Sequence, residues 1–249
     1  MLTTHKNIKA WLGTMNIENY TINDTGTVTV DGNVDISRKV LTEIPVQFRI
    51  VYGYFNCSYN RLKSLNGSPR EVGGNFNCSH NDLTSLDGSP QEVGGDFKCG
   101  FNSLESLEGS PREVGGSFYC WDNNLTSLDG SPQEVGGNFN SSDNNLKSLT
   151  GSPREVRGDF NCTWNRLTSL HGSPQEVGGN FHCGFNGLKS LDGSPQEVGG
   201  GFYCWNNRLT SLNGSPQEVG GAFNCSGNSF KTIPNCDTTI NGQLIWYNL

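Results

Sequence analysis

The chain has 249 residues, with 17 Lys and Arg against 24 Asp and Glu for a formal charge of −7, and 33 of its residues are Gly, about 13% where roughly 7% is usual. An acidic chain with scattered cations is a poor general binder of phosphate backbones, and no apolar run approaches the roughly 20 residues that a membrane helix needs, so nucleic-acid and membrane partners are not expected. The hydrophobic share of 33% fits either a globular protein or a flexible Gly/Ser/Asn-rich one, and residue order decides between them.

The N-terminus MLTTHKNIKAWLG lacks the basic start and apolar run of a signal peptide, which predicts a cytoplasmic protein. Ile8, Trp11, Leu12 and Met15 fall at helical spacing, so residues 5–18 read as an amphipathic helix with Thr4 as its N-cap. Asn23-Asp24-Thr25-Gly26 then marks a hairpin turn between Tyr20–Ile22 and Thr27–Val30. Residues 1–29 are therefore predicted to cap the open edge of a repeat array that begins at residue 30.

From residue 30 onward the chain obeys a 21-residue period. Cys57, Cys78, Cys99, Cys120, Cys162, Cys183, Cys204 and Cys225 lie on one comb, with Ser141 in the missing place, and Pro69 to Pro216 lie on another. The unit reads V-G-G-x-F-x-C-x-x-N-x-L-x-S-L-x-G-S-P-x-E, and a fixed period of this length is the signature of a solenoid. Val30, Val34, Ile36, Leu41 and Ile44 keep the register before the consensus begins, and Ile240, Leu244 and Trp246 keep it afterwards. The predicted solenoid thus spans 30–249, about ten repeats with a C-terminal closing strand. Within a unit, F-x-C alternates as a short strand, G-S-P makes a turn, and Val72, Phe76, Cys78, Leu83 and Leu86 point inward in the first full copy. Five apolar residues cannot hold one coil, but stacked coils bury one another and pair their backbones in parallel.

The core F-x-C-x-x-N-x-L, as in Phe76 to Leu83, resembles the leucine-rich-repeat core L-x-L-x-x-N-x-L, and the short unit with Pro in its back half is similar to the compact bacterial type. It is similar also to Cys-bearing repeat reading frames of bacterial viruses. The resemblance implies a mainly β repeat solenoid with one parallel β-sheet, an irregular turn-rich back and the short N-terminal helix cap. It also implies a protein-binding role, with a host protein as partner and the host cytoplasm as its place.

Each recurring residue has a structural role to fill. Asn60, Asn81, Asn102, Asn123, Asn144, Asn165, Asn186, Asn207 and Asn228 are expected to satisfy backbone groups at a coil corner. One Cys per coil makes a line of thiols that cannot converge on a tetrahedral metal, so free buried thiols are expected, with Cys236 off the comb and more exposed. The glycines from Gly32 to Gly242 require either positive φ or close approach at the strand entry. The glutamates from Glu71 to Glu218 form an acidic row, either a solvated edge or a weak cation-binding strip. The N-x-S/T sequons read as by-products of the repeat.

Function in a solenoid belongs to outward positions that vary between coils, here 75, 77, 79 and 80 and their 21-residue equivalents. These vary with a period of 84: F-N-C-S-H-N, F-K-C-G-F-N and F-Y-C-W-D-N recur four coils on as F-N-C-T-W-N, F-H-C-G-F-N and F-Y-C-W-N-N, which reads as a duplicated four-coil block. Tyr119, Trp121, Tyr203 and Trp205, with Phe101, Phe185, Trp164 and His182, are the candidate partner-binding residues, because large rigid side chains give contact area at low entropic cost. The pairs Tyr119/Trp121 and Tyr203/Trp205 are expected about 19 Å apart along one face. The four histidines are scattered and no nucleophile elbow or metal motif occurs, so no enzyme, cofactor or catalytic residue is predicted. The leading reading is a non-catalytic scaffold for a protein partner; glycan or other small-ligand binding on the aromatic/Asn face and a self-assembling structural spacer are the alternatives.

Overall fold

A computed structural model of the chain describes residues 1–247; the predicted array end at 248–249 lies outside the described residues. Helix α1 (His5–Thr14) is shorter than predicted, ending where Met15 caps three carbonyls, and Thr4 accepts the Asn7 amide at its start. Strands β1 (Tyr20–Ile22) and β2 (Val28–Val30) form the predicted antiparallel hairpin, and β2 continues in parallel onto Phe48–Val51. Ile8 and Leu12 of α1 are fully buried in the core that the first coils share.

The coils stack as the period requires, in a β-solenoid with register Phe76↔Phe97, Phe97↔Phe118 and onward to Phe223↔Leu244. The single predicted sheet is corrected to two. A 12-stranded sheet holds the Glu–Val pairs together with the hairpin and Phe48–Val51, and an 11-stranded sheet holds the Phe55 row from Val34–Asp35 to Leu244–Ile245. The reason lies in Gly73 and Gly74, whose equivalents bend the chain between the two strands of each coil, so that Glu71–Val72 and Phe76–Asn77 pair in separate ladders.

The glycine doublets answer the choice between positive φ and close approach. At Gly95 a Cβ would strike the Asn75 Oδ1 of the preceding coil and approach the Gly74 carbonyl carbon to 2.9 Å, so close approach is the cause there. Positive φ belongs to Gly32, which opens the row at +147° with nothing near its Cβ position, and to the turn glycines: Gly88, at +86°, also lies where a Cβ would meet the Leu65 carbonyl carbon at 2.8 Å. One position of the doublet row is Arg157, and the ladder opens around it. The amides of Gly136 and Arg157 reach their partners at 3.3 and 3.2 Å, against 2.9 Å at Gly94 and Gly115.

The core is a set of columns one residue wide. Phe55 to Phe223 are each fully buried and stack ring on ring, mostly at 5.2–5.5 Å between centroids. The Asn ladder takes its predicted role. Asn123 Nδ2 donates to the Cys99, Cys120 and Trp121 carbonyls while its Oδ1 accepts the Leu104 amide at 3.0 Å. The comb thiols are fully buried and free, and those of Cys78, Cys99 and Cys162 point at the carbonyl of the next coil at 3.3–3.4 Å. Ser141 fits the row because its hydroxyl makes the same bond to the Asn161 carbonyl.

Burial pushes the Cys57 and Cys225 thiols up to about 12, and the thiols between them are raised as well for the same reason. The thiolate is the reactive form. With a colourimetric disulfide reagent at pH 8, half-buried Cys236 is expected to react in the native protein. The eight comb thiols should react only as fast as the stack opens; immediate reaction of several thiols would contradict their placement.

Candidate functional site

The outward positions divide into two kinds. Where the residue after Phe is Asn, its Oδ1 turns back onto the residue two further on: Asn56 accepts both the Ser58 amide and hydroxyl, Asn161 does the same with Thr163, and Asn224 with Ser226. The sequons that follow a strand Phe are therefore local turns, Asn with Ser or Thr at the acceptor's reach. At Lys98, Tyr119, His182 and Tyr203 the residue two on is Gly or Trp, and the outward side chain is released from that duty.

The row at 75 is likewise committed to the scaffold. Asn75 accepts the Asp96 amide, Asp96 the Ser117 amide, and the chain continues through Asn138, Asp159 and Asn180 to Gly201. These side chains face outward but their acceptors are used by the next coil.

The row at 80 turns the corner in the left-handed region in every coil from Arg38 to Gly227. Tyr59, His80, Phe101, Trp164 and Phe185 all have φ between +51° and +55°. Bulky residues rarely adopt this conformation, and Gly227 holds the same place in a late coil. The rings stack along the corner: Tyr59 on His80 and His80 on Phe101, both at 4.1 Å, with Trp121 edge-on to Phe101 at 4.6 Å. The Arg38 guanidinium lies 4.0 Å from the Tyr59 ring and closes that end. Four coils on, Trp164 stacks on Phe185 at 3.8 Å and Trp205 meets Phe185 edge-on at 4.5 Å.

Of the sequence-predicted residues, Phe101 and Trp121 thus come together, as do Trp164, Phe185 and Trp205. His182 stacks on Tyr203 at 4.7 Å, while Tyr119 lies under the Lys98 ammonium at 5.4 Å. Lys98 also pairs with Asp96 at 3.2 Å. Trp121 and Trp205 each lie over the glycine of the coil before: a Cβ on Gly100 would come within 2.7 Å of Trp121 Nε1, and one on Gly184 within 3.0 Å of Trp205. Sequence reasoning named Tyr59 and His80 as outward but missed that they extend the first stack. Reading the corner row down the coils, with Gly227 marking its backbone, carries that signal.

The stacked histidines have depressed pKa values. For His80 desolvation comes first, then the Arg38 charge, with Asp122 opposing; for His182 desolvation outweighs Asp159. The unfolded chain, near 6.5, then binds more protons than the folded one between that value and the lower folded one. Stability is full above the unfolded value and is lost as pH falls through the folded one. Urea midpoints at pH 7.5 and 5.5 should differ less in a His80→Phe/His182→Phe variant than in the wild type; an unchanged difference would contradict this assignment.

On the other sheet, Glu71, Glu92, Glu113, Glu134 and Glu155 line a groove of about 730 Å³ that runs over Gly73 to Gly136 between Tyr52 and Arg157. Among the described residues no group of three or more His, Cys, Asp or Glu side chains is placed to share a metal ion, and no helix is long and apolar enough to cross a membrane.

Strand, asparagine ladder and inward leucines, in that order and once per coil, define a leucine-rich-repeat-like β-solenoid. Among solved structures it is similar to YopM from Yersinia enterocolitica WA-314, with a TM-score of 0.43 and 14% identity over 87% of this chain and 64% of that one. No protein-family model matches the sequence, and no curated protein matches it.

Proposed function

We propose that the chain is a non-catalytic scaffold of the leucine-rich-repeat kind that recognises a protein partner through the outward face of its Phe strands and the adjoining corner row. The observation that carries this reading is the release of Lys98, Tyr119, His182 and Tyr203 from the Asn turn that occupies Asn56, Asn161 and Asn224. Bulky residues held at φ near +50° point the same way, since such conformations cost free energy that a stable scaffold alone would avoid by using Gly or Asn. The two aromatic groups, about 19 Å apart at the strand spacing, span a face of the size a protein partner covers. The resemblance to viral reading frames makes a host protein the expected partner.

Trp164 apart, whose outer face stays open, ring stacking favours a protein over a glycan. Sugars pack on open aromatic faces, whereas the faces of His80 and Phe185 are taken by their neighbours and present edges. Affinity capture on the immobilised chain tests the reading. A partner should be recovered by the wild type and by a Glu134→Gln variant on the other sheet, and lost with Tyr119→Ala/Tyr203→Ala at unchanged melting temperature. Identical partner sets from all three would overturn it.

A further inference from the structure

The duplicated blocks differ at one informative place. Adding 84 to Tyr59, His80, Phe101 and Trp121 gives Asp143, Trp164, Phe185 and Trp205. The second stack therefore has an acidic side chain where the first has its outermost ring. Phe185, in the following coil, covers one face of Trp164 at 3.8 Å, and the opposite face is turned toward the coil of Asp143. Trp164 is 53% exposed, more than any other ring of either stack. Asp122 and Asp143 hold the two corner positions before it, both are exposed, and the ion pairs among the described residues, Lys98–Asp96 and Arg157–Glu155, involve neither.

An open indole face with the unpaired Asp143 carboxylate in the adjoining coil, and Asp122 one coil further back, suits a planar cation. The molecule already makes this contact once, internally: at the end of the first stack Arg38 occupies the corner position before Tyr59 and lays its guanidinium on that ring at 4.0 Å. The second stack keeps the ring acceptor, and among the described residues no cation lies over Trp164. The geometry points to a binding slot formed by Trp164 and Asp143, with Asp122 behind them, that takes the guanidinium of an arginine side chain from a protein partner. A guanidinium stacks flat on an aromatic face while its N–H groups reach a carboxylate in the ring's margin, which a compact, strongly hydrated ammonium does less well.

This slot rests on the protein-binding reading, and its test is independent of finding the partner. The full chain, labelled with 5-fluorotryptophan, gives one fluorine line for each of its five tryptophans, and Trp164→Phe assigns the Trp164 line. Titration with N-acetyl-arginine amide should move that line saturably. N-acetyl-citrulline amide, neutral and of the same shape, should not, and N-acetyl-lysine amide should bind at least fivefold more weakly than the arginine probe. Asp143→Asn should weaken the arginine probe at least fivefold while leaving the other four lines in place. No saturable shift, an equal response to citrulline, or an unchanged response in Asp143→Asn would overturn the slot. If a captured partner depends on Tyr119 and Tyr203 while the arginine probe fails, the slot falls and the scaffold reading stands; saturable binding with no captured partner supports the slot alone.

Discussion

Phe139→Ala is expected to destabilise the chain by about 4 kcal/mol, toward the upper part of the range for a buried Phe. The ring is fully buried between Phe118 at 5.4 Å and Phe160 at 5.3 Å, nearly parallel to both. Its neighbours are fixed by parallel backbone ladders on either side, so the hole cannot close by local collapse. Because each coil touches mainly the coils beside it, a void at the middle of the column also weakens coupling between the two halves. Urea unfolding should show the loss in midpoint together with a shallower or split transition. At the C-terminal end of the column, Phe223 is tilted by 45° against Phe202 and faces Leu244 on its other side, so Phe223→Ala should cost less, about 3 kcal/mol. A loss below about 2 kcal/mol at Phe139, or an equal loss at both sites, would show that the column does not carry the stack.

Asn123→Ala should cost about 3 kcal/mol or more by a different route. The side chain removes little apolar area, but its loss leaves the Leu104 amide unpaired, in a place where Asn123 itself is only 7% exposed. It also takes one hydrogen bond from each of the Cys99, Cys120 and Trp121 carbonyls, at about 1 kcal/mol each, although these keep Asn102, Asn144 and the Phe101 amide as donors. Each buried group left unpaired costs about 1–3 kcal/mol. Asn123→Asp separates hydrogen bonding from packing. It keeps the acceptor for Leu104 and sets a carboxylate against three carbonyl oxygens, so its folded-state pKa is raised. That variant should be the less stable of the two at pH 7 and should recover relative to the wild type as pH falls toward 4, when the protonated carboxyl donates again. Chemical denaturation at the two pH values checks both the size and the sign.

Much of this architecture is legible in the sequence because a coil repeated at fixed spacing exposes the role of each position. The inward row Val72, Phe76, Cys78, Leu83 and Leu86 follows from apolar periodicity alone, and each of these residues is buried. The role of the Asn row follows from the need to pair backbone at a corner. The second sheet is not legible: Glu71–Val72 is a two-residue strand with no alternation to mark it, followed by glycines that read as a turn. The work of the Asn turns is hidden too, because N-x-S looks like a sequon and the hydrogen bond that explains it, Asn56 to Ser58, is local.

The candidate site is legible only in part, and for a reason of direction. Reading coil by coil brings Tyr119 and Trp121 forward as a pair, since they sit two residues apart in one unit. The contacts that matter run across coils, from Arg38 through Tyr59 and His80 to Phe101, at separations of 21 residues. The left-handed corner that aligns these rings has no marker in His or Phe themselves. Asp122, Asp143, Asn206 and Gly227 in the same row hint at it, since Asn, Asp and Gly enter that region most readily.

The Phe-strand face, and not the Glu-lined groove, is the proposed seat of the partner. The most direct measurement places a photo-crosslinking benzoylphenylalanine at position 119 and, in a second protein, at position 134, each then irradiated with the captured partner. A partner on the Phe-strand face will crosslink through 119 and leave 134 unreacted. Crosslinking through 134 with none through 119 would contradict it.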